Sequence, residues 1–301
     1  MSKKIQMTSR KKEEVKAKIK HKAKKSIRTL FIYVLLTAGG LTMILPFIWM
    51  LSTSLKSYTS VFIFDIKDIQ WIPNPVFWSN YIDVWKVVPF AKFYVNSLFV
   101  TFSVTAAQVT TSAFAAYAFA RLKFPGREKL FFAYLATMMI PGSVTMIPVF
   151  ALMRVFGWID TYKALIIPAA FTAYGTFLLR QFFVTIPSDL EDAAKIDGCN
   201  LWGIFCNVIL PLSKTALATL TIFVALGNWV SFMWPLLVTN SIEKRTLPIG
   251  LAYFQELYQH AQPNWGLLMA GSVIATIPLI IVFVFNQRFF VEGIKLQGMK
   301  G

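Results

Sequence analysis

Apolar and polar positions in this chain come in long blocks with no helical or strand alternation. Five stretches, 29–55, 93–120, 130–153, 215–242 and 257–287, contain no Asp, Glu, Lys or Arg and run for 24 to 31 residues. A helix needs about 20 apolar residues to cross the hydrocarbon core of a bilayer, so each stretch can hold one span. A sixth stretch, 164–186, is interrupted only by Arg180 near its end, where a long side chain can reach the headgroups. The uncharged run 198–213 is short for a crossing and is broken by Pro211, so it reads as the approach to the fifth span. The pattern predicts an all-α polytopic membrane protein. A basic tail over 1–28 precedes one integral domain, 29–301, with spans at about 29–54, 93–120, 130–153, 164–186, 213–238 and 266–287.

Charge orients these spans. The segments on the side of the tail carry 21 Lys and Arg against eight in the opposite loops, which places both termini in the cytoplasm. The tail itself, with twelve basic residues, reads as an orientation signal lying against anionic lipid, and no nucleic acid is expected as a partner. The apolar run that follows is longer than the core of a secretory signal peptide, so cleavage is not expected. Trp71, Trp78, Tyr81 and Trp85 mark the first outer loop, either as an interfacial aromatic belt or as a docking surface for an extracellular partner.

Composition agrees: 56% of residues are hydrophobic, 15% are charged, and the mean hydropathy is +0.58. A soluble domain is excluded. No phosphate-binding G-x-x-x-x-G-K-[ST] loop, zinc-protease H-E-x-x-H or hydrolase G-x-S-x-G occurs, and the predicted spans hold no interior carboxylate. No catalytic residue and no metal site is therefore expected, and His21 and His260 have no cysteine or carboxylate cluster beside them. An ion-coupled carrier, which typically holds ionisable or unwound sites near the midplane, is disfavoured. Cys199 and Cys206 lie near the expected cytoplasmic face, where thiols stay reduced. Prolines in or beside the spans favour a kinked bundle with a cavity, and small residues such as Ser112, Ala113, Gly266 and Gly271 allow close helix contact.

One segment breaks the pattern. Residues 188–198, Ser-Asp-Leu-Glu-Asp-Ala-Ala-Lys-Ile-Asp-Gly, hold four of the 14 acidic residues. Ser188 followed by Glu191 forms an S-x-x-E capping box, acids in the first turn suit the helix dipole, and Glu191 can pair with Lys195. Gly198 suits the left-handed position after the helix. Leu190, Ala193, Ala194 and Asp197 share a shallow face that another backbone could approach. The segment is either a solvated connector or a docking helix for a cytoplasmic partner.

The string from Glu191 to Cys199, with Asn200-Leu-Trp-Gly-Ile-Phe and Ile209-Leu-Pro-Leu-Ser213 after it, resembles the EAA motif of binding-protein-dependent ABC importer permeases. Asp192 stands where that family has Glu, and Cys199 where it has Ala. Further stretches, Ala115 to Gly126, Phe177 to Phe182, Trp229 to Pro235, Thr246 to Gly250 and Trp265 to Gly271, resemble the MalG-type sugar permeases.

The resemblance implies a type I importer in a bacterial cytoplasmic membrane, in which a second six-span permease of MalF-like kind pairs with this chain. Two ATPase subunits would bind ATP and Mg on the cytoplasmic side, leaving this chain without a cofactor, and a solute-binding protein would deliver an oligosaccharide from outside. It implies that 188–198 is the coupling helix, with Glu191, Asp192, Ala193, Ala194, Asp197 and Gly198 at the ATPase contact. Tyr174, Thr176, Asn228, Trp229 and Ser231 are candidates for the sugar path, as polar and aromatic groups in a mostly apolar cavity, or else serve packing between helices. A stand-alone secondary carrier and a membrane scaffold without an ATPase are the alternatives.

Overall fold

The computed structural model describes the backbone of residues 2–57, 71–256 and 264–298, with side chains over 26, 28–57, 71–254 and 264–285. Among the described residues all regular structure is helical. The order is α1 Ser2–Ser54, α2 Ser79–Val87, α3 Phe90–Arg121, α4 Arg127–Ala136, α5 Gly142–Val155, α6 Tyr162–Ile166 and α7 Ala173–Phe183. Then come α8 Asp189–Ile196, α9 Leu201–Ile204, α10 Leu210–Leu212, α11 Lys214–Trp229, α12 Met233–Val238, α13 Leu247–Glu256 and α14 Trp265–Gly298.

Four described helical stretches are long and apolar enough to cross a membrane, Arg28–Ser54, Phe90–Arg121, Tyr162–Phe183 and Trp265–Phe285, and there are six if each of two bent pairs is one span. The first pair, Arg127–Met139 with Gly142–Val155, turns by 99°. Ile140 before Pro141 is extended, at φ −84° and ψ 117°, because the proline ring disfavours the helical conformation in its predecessor. The second pair, Leu201–Leu212 with Lys214–Trp229, turns by 78°. Pro211 has no N–H to offer the helix ladder, and a π-turn over Phe205–Ile209 precedes it. The run 198–213 thus approaches α11 across a sharp bend. The stretch read as a fifth span, 213–238, is itself divided between α11 and α12.

α3 is the central element and packs most extensively against α7 and α11. Ser112, Ala113 and Ala116 are buried on it, and Gly175 of α7 lies so close to Ser112 that a Cβ there would stand 3.1 Å from the Ser112 Cβ. Two apolar cores result. One, around Val104, Leu179, Phe183, Ile209 and Leu220, joins α3, α7 and α11 to α8 and α9. The other, around Val84, Phe90, Phe93, Phe254 and Ala270, joins α2, α13 and α14 to the start of α3. α1 leans mainly on α14, and its apolar stretch from Arg28 is exposed on nearly every side. Such a surface requires lipid or another membrane chain.

Candidate coupling and translocation sites

The acidic stretch forms α8, and its end matches the expectation in detail. Gly198 has φ +83°, a left-handed conformation open to glycine at no steric cost. Its N–H donates to Lys195 O at 3.0 Å, and the Cys199 N–H donates to Ala194 O at 2.9 Å, the two bonds of a Schellman cap. The start of the helix differs. Ser188 is itself helical, at φ −65° and ψ −28°, and its side chain makes no capping bond, so the capping box does not form. Glu191 is engaged elsewhere: its Oε1 lies 2.9 Å from Arg121 Nε, with side-chain exposures of only 11% and 12%. The expected Glu191 to Lys195 pair is likewise replaced. Lys195 Nζ donates to Asp192 Oδ1 at 2.7 Å, and that bond holds the Lys195 ammonium above its ordinary pKa.

Arg121, the last residue of α3, is the centre of this junction. Its Nη2 donates to Phe183 O at 2.6 Å and also to Ile186 O, which ties down the chain where α7 ends. One turn earlier, the Tyr117 hydroxyl donates to Leu201 O at 3.3 Å at the start of α9. α3 therefore grips the chain on both sides of α8. A reciprocal clasp comes from Arg180 of α7, whose Nε donates to Phe119 O at 3.2 Å while its guanidinium lies 4.1 Å from the Phe131 ring and Nη2 is 3.3 Å from Glu128 Oε1. Instead of extending to headgroups, Arg180 turns into the protein, because carbonyls at a helix C-terminus attract cations.

The six residues read as the docking contact divide. Glu191 and Ala194 are buried against the body of the molecule, whereas Asp192, Ala193, Asp197 and Gly198 are exposed. Ala194 is thus separated from the shallow face it was expected to share with Ala193. The outer face is completed by Leu190, 44% exposed, and Ile196, 87% exposed. Acids around two bare aliphatic side chains on a short helix make a surface suited to protein.

A second feature lies among α3, α5, α6, α11 and α12: a cavity of about 340 Å³. Its polar lining is Ser97, Thr101, Thr145, Asn228, Ser231 and Thr246, and the rest is apolar. Ser97 Oγ accepts from Leu247 N–H at 2.8 Å, whereas Thr246 Oγ1 is buried with no hydrogen-bond partner among the described residues. Of the five candidates for the sugar path, Asn228 and Ser231 line this cavity. Trp229 is buried elsewhere, with Nε1 donating to Ala275 O at 3.0 Å as a tie between α11 and α14. Thr176 is 1% exposed, and its hydroxyl donates to Thr172 O within its own chain segment. Tyr174, 43% exposed, lies on α7 and does not line the cavity. Reading the sequence missed Ser97, Thr101, Thr145 and Thr246, since a lone hydroxyl in an apolar stretch carries no local sign of the wall it will face. Arg121 was counted only as a topological charge.

Comparison with known proteins matches residues 108–296 to the family described as binding-protein-dependent transport system inner membrane component. The chain is 38% identical over 206 residues to the arabinooligosaccharides transport system permease protein AraQ of Halalkalibacterium halodurans, covering 68% of this chain and 73% of that one. It is 31% identical over 272 residues to the sn-glycerol-3-phosphate transport system permease protein UgpE of Yersinia pestis, covering 88% and 95%. Among solved structures, a bacterial ABC transporter involved in the import of the acidic polysaccharide alginate superposes with a TM-score of 0.77 at 27% identity, over 88% of this chain and 96% of that one. The matched region runs from the middle of α3 through the Arg121 junction and α8 to α14 and takes in the cavity lining from Gly142 to Thr246, and on this ground the chain belongs to the family of inner membrane components of binding-protein-dependent transport systems.

Proposed function

We propose that the chain is one permease subunit of an ATP-driven ABC importer that carries oligosaccharides into the cytoplasm by alternating access. The observation that carries this reading is the outer face of α8, where Asp192, Ala193 and Ile196 stand exposed outside the apolar spans on a helix whose flanking chain is tied to α3 on both sides. The similarity to sugar permeases supports the substrate class.

In this reading α8 seats in a cleft of an ATPase subunit that holds ATP and Mg. Asp192 meets a basic residue there, Ala193 permits close approach, and Asp197 with Gly198 sets the angle of the helix end. ATP-driven closure of two ATPase subunits draws the coupling helices of two permeases together. The spans then rock so that the cavity opens outward to a solute-binding protein. Asn228 and Ser231, with the hydroxyls beside them, offer hydrogen bonds to sugar in a mostly apolar cavity. The second permease covers the open side of α1, the membrane is the bacterial cytoplasmic one, and both termini lie in the cytoplasm.

Affinity purification from native membranes tests the assembly. A second six-span protein and an ATPase should accompany the wild-type chain, and Asp192→Lys should lose the ATPase while keeping the second permease. Sugar uptake that persists after deletion of every associated ATPase would instead make the chain a secondary carrier.

A further inference from the structure

The inward side of α8 is small. Its buried residues are Glu191 and Ala194, so the polar part of its inward contact comes down to one carboxylate. That carboxylate meets a single guanidinium, Arg121, at 2.9 Å. The same guanidinium is fixed from behind by the carbonyls of Phe183 and Ile186. Three contacts converge on one planar group, two of them hydrogen bonds from Nη2 and the third an ion pair at Nε whose atoms are not aligned as a hydrogen bond, and an extended guanidinium can reach all three where the point charge of lysine cannot.

Arg121 is also the end of a lever. α3 places Ser97 and Thr101 on the wall of the cavity, and Arg121 stands twenty residues beyond Thr101 on the same uninterrupted helix. At 1.5 Å per residue that is about 30 Å of rigid rise. A buried ion pair is poor evidence of stability, because desolvation offsets most of the attraction. What it supplies is a fixed geometry between two elements.

We infer that Arg121 is the positioning residue that transmits movement of α8 to the cavity wall, by locking Glu191 to α3 and to the end of α7 at once. The inference rests on the importer reading above. Both side chains are too buried to contact an ATPase, so Arg121 and Glu191 act through α8 and α3.

The test uses the complete transporter in proteoliposomes and reads sugar imported per ATP hydrolysed, a ratio that a purely structural role would not move once the complex is assembled. Arg121→Gln and Glu191→Gln should each lower this ratio at least tenfold in complexes that still contain the ATPase. Arg121→Lys should fall in between, and the exchanged double variant, Arg121→Glu with Glu191→Arg, should recover a substantial part. A wild-type ratio in either glutamine variant overturns the inference. So does an absence of recovery in the exchanged pair, and failure of all variants to assemble would assign the pair to folding. Failure of the importer reading itself would be visible separately, as a wild-type protein that neither retains an ATPase nor imports sugar at the expense of ATP.

Discussion

At Gly198 a Cβ would meet nothing within 4 Å, so a substitution there strains the backbone without striking a neighbour. Left-handed geometry costs a non-glycine residue about 1–2 kcal/mol, and Asn tolerates it best. Gly198→Asp adds a further negative charge beside Asp197 on the exposed face. It should abolish uptake of labelled sugar while leaving membrane insertion intact, whereas Gly198→Asn should retain most of it. Wild-type uptake by the aspartate variant would remove 188–198 from the coupling role. A comparable special residue stands on the opposite side of the bundle. Asp160 has φ +61°, and its Oδ1 accepts from the N–H groups of Asn240 and Ser241 at 2.9 and 3.0 Å and from the Ser241 hydroxyl at 3.0 Å. Partial burial pushes its carboxyl pKa up, but the Ser241 and Asn240 donors and the charge of Lys244 outweigh this and hold it below the usual value. Because the folded pKa lies below the unfolded one, the stabilisation is present above the unfolded value, about 3.9, and disappears as pH falls through the folded value. Asp160→Ala should therefore destabilise the protein by about 1–3 kcal/mol at pH 7, read as a lower midpoint of heat unfolding in detergent. The difference from wild type should shrink on acidification toward pH 3, and a difference independent of pH would rule out the charge as its cause.

At the scale of elements, the glycines expected to bring helices together do so in two ways. A Cβ on Gly266 would stand 2.6 Å from the backbone carbonyl of Lys56, at the end of α1, and 2.9 Å from Asn80 Nδ2. That Asn80 amide already bridges the carbonyls of Ser54 and Lys56 at 2.8 and 2.9 Å. A Cβ on Gly271, five residues further along α14, would meet Leu251 Cδ2 at 3.0 Å, the end of a flexible side chain. Overpacking costs about 1–3 kcal/mol where neighbours cannot yield. Gly266→Ala should fall in that range and Gly271→Ala well below it, compared by the yield of monodisperse protein after mild heating. Equal effects would mean that the α1 end moves as freely as a leucine tip. The small residues were legible in the sequence as a class, but which glycine faces backbone and which faces a side chain depends on partners up to 210 residues away. The same holds for the arginines. Arg121 and Arg180 could be counted from the chain, yet their clasps depend on α3 and α7 ending side by side.

For the whole molecule, the testable property is how the bundle stands in its membrane. Both termini inside, as the distribution of Lys and Arg expects, puts α8 in the cytoplasm and the first outer loop outside. With Cys199 and Cys206 replaced by serine, a membrane-impermeant maleimide applied to intact cells should label Ile72→Cys and spare Ile196→Cys. Permeabilised cells that lack the ATPase should label both, since the two positions are 84% and 87% exposed in the chain alone. The opposite pattern would invert the orientation and remove α8 from any cytoplasmic partner. The exposed apolar stretch of α1 belongs to this scale as well, because among the described residues only α14 lies extensively against it.

The length and purity of the apolar blocks determined, without any structure, that this is an all-α chain built for lipid. Backbone polar groups in a bilayer must be satisfied within the segment, and a run of over twenty apolar residues leaves helix as its outcome. The acidic helix and its glycine end were legible for the same reason, since a Schellman cap is made by neighbours in sequence. Tertiary structure decided the rest. It withdrew Glu191 from the cap and gave it to Arg121, turned Arg180 inward, bent two spans at proline, and chose Asn228 and Ser231 for the cavity while sending Trp229 to α14. Each of those outcomes is a competition between a local partner and a distant one, and it is settled by which groups the packed helices bring within hydrogen-bonding reach.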